Sequence, residues 1–184
     1  MNIDELRQAC IRGGIEVAKF GTGKAKTLEN LLEEVTTGET VLEEQGGKLV
    51  RTISVLGVNV YYEAPDGKRY RLIEEKQVFN KGSRERARKL EVSLGEKLLP
   101  GESPDEVAVS RAIREELKIN DGYIITKDPS FEKKETRLSE SYPGLESIYK
   151  VYRFVVQLAD PAYNPNGYKE EGSEKTTYFK WIEE

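Results

Sequence analysis

Gly95-Glu96-Lys97-Leu98-Leu99-Pro100-Gly101-Glu102-Ser103-Pro104-Asp105-Glu106, continuing to Arg111-Ala112-Ile113-Arg114-Glu115-Glu116-Leu117-Lys118-Ile119, reads as a loop feeding an acid-bearing helix. Pro100-Gly101 makes a turn, Ser103 is placed to cap the helix, Pro104 suits its first position, and Glu106 completes a capping box with Ser103. The spacing predicts one helix from Ser103 to about Leu117. Glu115 stacks one turn from Arg111 on it, and Glu116 one turn from Ala112. Two adjacent carboxylates at the end of a helix whose start lies near Glu102 suit a hard divalent cation, typically Mg²⁺ or Mn²⁺ shared with a substrate phosphate.

On those residues the segment resembles the Nudix box of the Nudix hydrolases: glycine, five residues, glutamate, seven residues, then Arg-Glu-aliphatic-x-Glu-Glu-x-Gly-aliphatic. Gly101-Glu102 matches the Gly-Glu that closes the loop, Arg111 the arginine, Ile113 the aliphatic position, Glu115-Glu116 the acid pair and Ile119 the last aliphatic. Four departures accompany the match. Ala112 stands where the pattern has its first helix glutamate, Lys118 replaces a glycine, and Glu96 replaces the opening glycine with Gly95 beside it. Eight residues rather than seven separate Glu102 from Arg111. One extra helical residue rotates every later position by about 100°, so Glu102 meets the acid pair only if the loop or the first turn absorbs it.

The resemblance implies metal-dependent hydrolysis of a nucleoside diphosphate joined to another group. It implies Glu102, Glu115 and Glu116 as the metal set, Glu115, Glu116 and Arg111 as catalytic residues, and Mg²⁺ or Mn²⁺ as cofactor. Arg111 would orient a carboxylate or the loop through its planar fork. Ala112 leaves the base unassigned, with Glu140 and Glu146, Glu170 and Glu171 in a late loop, or Glu74 and Glu75 as acids outside the box. One of Glu74 and Glu75 must face outwards because strand side chains alternate. The expected partner is a nucleotide or other diphosphate-containing small molecule. The alternative is a catalytically impaired Nudix-like module that holds a nucleotide or a protein partner without turnover. A third reading is an interaction scaffold whose acids are a solvated helix face.

The rest of the chain narrows the chemistry. Its 184 residues include no histidine and one cysteine, Cys10. Histidine triads, histidine metal sites and an intrachain disulfide are therefore excluded. With 34% charged residues and a net charge of −4, it has no basic footprint for long nucleic acid. Lys81, Arg84, Arg86, Arg88 and Lys89 form a local basic patch that would suit a phosphorylated small molecule or be merely solvated. No apolar run reaches membrane-spanning length, and residues 1 to 20 carry acids where a signal peptide would have a basic start, so a cytoplasmic protein without membrane contact is expected.

Residues 3 to 19 read as a helix broken near Gly13-Gly14, and Leu28 to Val35 as a short helix capped by Thr27 and ended near Gly38. Gly21-Thr22-Gly23-Lys24-Ala25-Lys26-Thr27 between them lacks the Ser or Thr that directly follows lysine in a phosphate-binding loop, and reads as a linker. From Lys48 the pattern turns to strands: 49–55, 58–62, a Pro65-Asp66-Gly67 turn into 70–75, then 123–126, 149–158 and 176–181. This is an α+β chain with helices on a mixed sheet. The resemblance implies a Nudix-like α/β/α sandwich over residues 48–184, with residues 1–47 as an N-terminal helical extension. Tyr61, Tyr62, Tyr70, Tyr142, Tyr149 and Tyr152 are candidates to stack on a base, against a more ordinary role in packing.

Overall fold

In the computed structural model, residues 1–80, 84–87 and 91–184 are described, with 129–133 as backbone alone. Lys81, Arg88 and Lys89 of the basic patch lie outside the described residues. The described elements in chain order are α1 (Ile3–Arg12), α2 (Leu28–Thr36), β1 (Val41–Gln45), β2 (Lys48–Glu63), β3 (Arg69–Phe79), β4 (Glu85–Arg86), β5 (Leu94–Lys97), α3 (Glu106–Leu117), β6 (Tyr123–Leu138), β7 (Glu146–Leu158), β8 (Tyr168–Glu171) and β9 (Lys175–Glu183). The α+β expectation holds. Among the described residues, no helix is long and apolar enough to cross a membrane.

The chain forms two compact units, each assembled from separated stretches. One comprises Met1–Val55, Lys97–Glu102 and Glu132–Val151, the other Leu56–Glu96, Ser103–Phe131 and Tyr152–Glu184.

The first unit is organised by apolar stripes on two short helices. Asn2 caps α1 through a capping box with Glu5, and Thr27 caps α2 through one with Asn30. Leu6, Ala9 and Cys10 from α1 and Leu28 and Leu31 from α2 meet Ile15, Leu49, Tyr142 and Leu145 in one buried cluster. Gly13 ends α1 where nothing larger fits, since a Cβ there would stand 2.8 Å from the Leu49 Cβ. β1 pairs antiparallel with β2, Gln45 opposite Lys48 across Gly46-Gly47. Both glycines have positive φ, as a two-residue turn of this kind requires.

Glu34, on the inner side of α2, meets Arg51 from β2 with both side chains almost wholly buried, Arg51 Nη2 lying 2.6 Å from Glu34 Oε2. Lys26 Nζ donates to Glu34 Oε1 at 2.8 Å, the Tyr142 hydroxyl donates to the same oxygen at 3.0 Å, and Arg51 Nε donates to Thr40 Oγ1 at 3.1 Å. Burial alone would raise the Glu34 carboxyl, but the Lys26 hydrogen bond and the charges of Arg51 and Lys97 outweigh it and hold the group below the usual carboxylate range. Tyr142 is therefore fully enclosed, with Arg51 over its ring, and presents no face to a base.

The strand order of the sheet is β6-β7-β2-β3-β9-β8, with β5 also on β2 and β4 on β3; β3, β8 and β9 fall wholly in the second unit. β2 and β3 are in register at Tyr61–Arg71 to Glu63–Arg69, beside the expected Pro65-Asp66-Gly67 turn. Further along, the Ser93 hydroxyl bridges the two backbones, accepting from Val60 N–H at 2.9 Å and donating to Leu72 C=O at 2.5 Å. Ser93 is completely buried, and β5 begins at the next residue. β3 pairs with β9 over its whole length, and a register shift between Glu74 and Lys76 turns Glu74 into the interior while Glu75 pairs with Lys180 outside. Tyr62 stacks on Tyr163 with ring centroids 3.6 Å apart and donates to Asp160, so its ring is spent on packing.

Candidate functional site

α3 is the element that carries the site, and its start differs from expectation. The cap is Asp105 rather than Ser103, its Oδ1 accepting from Val107 N–H and Ala108 N–H, and the helix runs Glu106–Leu117. Asp is as good a cap as Ser and adds a negative charge at the positive end of the helix dipole. Ser103 and Pro104 stay in the preceding turn, where Asp105 N–H donates to Ser103 C=O. The additional residue of the Glu102–Arg111 interval thus has three non-helical positions, 103 to 105, in which to be accommodated without rotating α3.

The far end is equally informative. Lys118, where the Nudix pattern has glycine, takes the left-handed conformation with φ 61°, and is the one non-glycine among the described residues with positive φ. Its N–H closes the helix on Arg114 C=O, and its Nζ donates to Glu115 C=O at 2.8 Å. The glycine of the pattern and the backbone of this chain make the same local demand.

Ala108, Val109, Ala112, Ile113 and Leu117 are the buried residues of α3. Glu116 falls on this same stripe, one turn after Ala112 and Ile113. Glu115, about 100° around the helix, points outward and is 54% exposed. The acid pair is therefore split. Glu115 takes Arg111, whose Nη1 donates to Glu115 Oε2 at 2.7 Å and stands 3.8 Å from Glu96 Oε1, with the Arg111 side chain only 10% exposed. Glu116 faces Glu96 of β5 and Glu170 of β8, the strand against which α3 packs. Burial, then the charges of Glu170 and Glu96 and a hydrogen bond to Glu96, push the Glu116 carboxyl up to about 8, with Lys175 opposing. Burial also raises Glu96, against the pull of Arg111 and the Glu116 hydrogen bond.

The other sequence candidates are dispersed over both units. Glu102 belongs to the first compact unit, where its carboxylate accepts from Leu99 N–H at 2.8 Å. Glu146 in that unit lies 3.9 Å from Lys48, and Glu140 is exposed. Glu170 and Glu171 sit on strand β8 rather than in a loop. Register places Glu170 opposite Thr177, whose hydroxyl donates to it at 3.2 Å, while Glu171 turns out to Lys169. Glu74 accepts from Gln77 inside the sheet. Glu96, which departs from the pattern, is the acid that sequence reading missed. The signal was present in the alternation: Leu94 and Glu96 share a face of β5, and Leu94 is core.

The donor set fits a hard divalent cation in kind, being carboxylate oxygen without nitrogen or sulfur. Among the described residues, no three acids already stand together as a metal site. The protein would therefore supply one or two carboxylates, with water and substrate phosphate completing the shell, the usual arrangement for Mg²⁺.

No family profile matches the chain, and no curated protein matches it. Among solved structures, an Ap4A hydrolase from C. elegans is similar over 72% of this chain and 80% of its own, at 18% identity and a TM-score of 0.37.

Proposed function

We infer that this chain is a metal-dependent hydrolase of a nucleoside diphosphate linked to another group, a pyrophosphohydrolase of the Nudix type acting in the cytoplasm. The observation that carries the reading is the half-buried carboxyl of Glu116, one turn beyond the buried Ala112 and Ile113 and within the charge influence of Glu96 and Glu170. Structural helices seldom place an acid there, because burying a carboxyl beside two others costs free energy that only a ligand or a proton offsets. Mg²⁺ or Mn²⁺, when bound, would supply the positive charge that stabilises hydrolysis of a diphosphate link. Glu116 would offer the ion an oxygen, Arg111 would orient the outward Glu115, and Glu170 on β8 would take the proton of the attacking water. The test is phosphate release from nucleoside di- and triphosphates, ADP-ribose, dinucleoside polyphosphates and sugar nucleotides with Mg²⁺ or Mn²⁺. Turnover should occur and be lost in Glu116→Gln.

The complete burial of Ala112, which offers no donor one turn before Glu116, favours a second reading as a module that binds such a nucleotide without turnover. Mn²⁺-dependent nucleotide binding without product across the screen would select it.

A further inference from the structure

We propose that Lys97 is a positioning residue, tying the segment Lys97–Glu102, which follows β5 in the chain and precedes α3, to residues 34–39 at the end of α2. The N-terminal helices thereby set the conformation of this loop. The proposal rests on the hydrolase reading only in giving the loop, which carries Glu102, a part in turnover. Lys97 Nζ donates to Glu39 Oε2 at 3.1 Å and stands 3.8 Å from Glu34 Oε1. Both acids are held from the α2 side. Glu34 is the buried carboxylate that Arg51, Lys26 and Tyr142 already grip. Glu39 precedes Thr40, whose N–H donates to Glu34 C=O at 3.1 Å and whose hydroxyl accepts from Arg51.

The other contacts of the segment lead to the same place. Leu98 is buried and its N–H donates to Ser54 C=O at 3.0 Å, which seats the start of the loop on β2. The chain then turns on itself, Glu102 N–H donating to Leu99 C=O at 3.0 Å and Leu99 N–H to Glu102 Oε2 at 2.8 Å. Pro100, inside this turn, lies against the end of α2, where a Cβ on Gly38 would stand 3.0 Å from the Pro100 Cβ. All of these residues belong to the first unit. Lys97 and Glu39 are 36% and 37% exposed, so their pair alone is worth little. Glu34 adds a second, buried attraction for the same ammonium. Because Glu34 keeps Arg51, Lys26 and Tyr142, losing the Lys97 charge loosens the loop without leaving the buried acid unpaired.

Amide hydrogen exchange at Leu99 and Glu102, followed by NMR on the full chain, tests this in wild type, Lys97→Met, Lys97→Arg, Glu39→Gln and the double variant Glu39→Gln with Lys97→Met. Urea melts establish that each variant is folded. Lys97→Met, which keeps the stem and loses the charge, should speed both amides at least about threefold while Leu31 of α2 exchanges as in wild type. Lys97→Arg should restore wild-type exchange, and the double variant should be no faster than Lys97→Met, since the two changes remove one shared contact. On a substrate that the wild type turns over, Lys97→Met should lower kcat by a similar factor and Lys97→Arg should recover it. Wild-type exchange at both amides in folded Lys97→Met would overturn the proposal, as would an equal acceleration at Leu31. Faster loop exchange with unchanged kcat would overturn the loop's part in turnover. A wild-type chain without turnover would remove the hydrolase reading, while the exchange rates would still decide the role of Lys97.

Discussion

Replacing Glu116 by glutamine removes a carboxyl whose ionisation the fold resists, and the effect should reverse in sign with pH. The group titrates near 4.5 when the chain is unfolded and at about 8 when folded. Between those values the folded state holds a proton that the unfolded state has released, so stability contributed by this group falls as pH rises from about 4.5 and the loss is complete above about 8. Each pH unit in that window costs about 1.4 kcal/mol, an upper bound of about 4–5 kcal/mol across it. Glutamine carries no such penalty and keeps a donor for Glu96. The variant should therefore match or trail wild type by about 1 kcal/mol at pH 5, where a protonated Glu116 already donates, and exceed it by about 2 kcal/mol or more at pH 8.5. Trp181, the one tryptophan, lies on β9 in the same unit, so its fluorescence during urea denaturation reads the unfolding of the relevant part. Saturating Mn²⁺ should stabilise wild type at pH 8 and leave the variant unchanged, because an ion bound to the folded state alone shifts the equilibrium. Parallel stability curves from pH 5 to 8.5 would show that Glu116 is an ordinary solvated carboxylate, and the site built on it would fall.

Two other outcomes are set by the packing. Arg51→Met leaves Glu34 buried without its main counter-charge and should cost about 3 kcal/mol in a thermal or urea melt, whereas a loss under 1 kcal/mol would mean that Lys26 and Tyr142 suffice. Lys118→Gly relieves a left-handed lysine and should stabilise the chain by about 1 kcal/mol despite losing the Nζ bond to Glu115; a lower melting temperature would assign that bond a larger share in closing α3.

Much of the local structure was written in local chemistry. The Thr27 cap, the Pro65-Asp66-Gly67 turn and the β7 run of Tyr149 to Leu158 each carry their own signal, and the structure has them all. The site was half legible. Helical spacing puts Glu116 with Ala112 and Ile113, which is why it is inward, and puts Glu115 beside Arg111. Leu94–Lys97 has no strand signature of its own; it is made a strand by pairing with β2 and by the Ser93 bridge, both tertiary facts. β8 hid in the same way, since Tyr168-Lys169-Glu170-Glu171 looks like solvated loop until β9 pairs with it. β1 was missed although Gly46-Gly47 announces a hairpin, because Val41-Leu42-Glu43-Glu44-Gln45 is too acidic to suggest a strand. Nothing local marks Glu34 and Arg51 as buried, for each looks like a surface residue until the other is known.

The composition of the first unit's core has a consequence for synthesis. Leu6, Cys10 and Leu31 are made before Tyr142 and Leu145, which complete their cluster and emerge only after roughly a hundred further residues. At translation speeds of about 5–20 residues per second, the apolar faces of α1 and α2 wait about 5–20 s for their partners. The nascent chain is thus obliged to present two greasy helices while roughly a hundred further residues are made. Trigger-type chaperones that shield emerging apolar segments should matter more for the yield of this protein than for its final stability, and slowing translation before residue 142 should lower the yield of soluble chain.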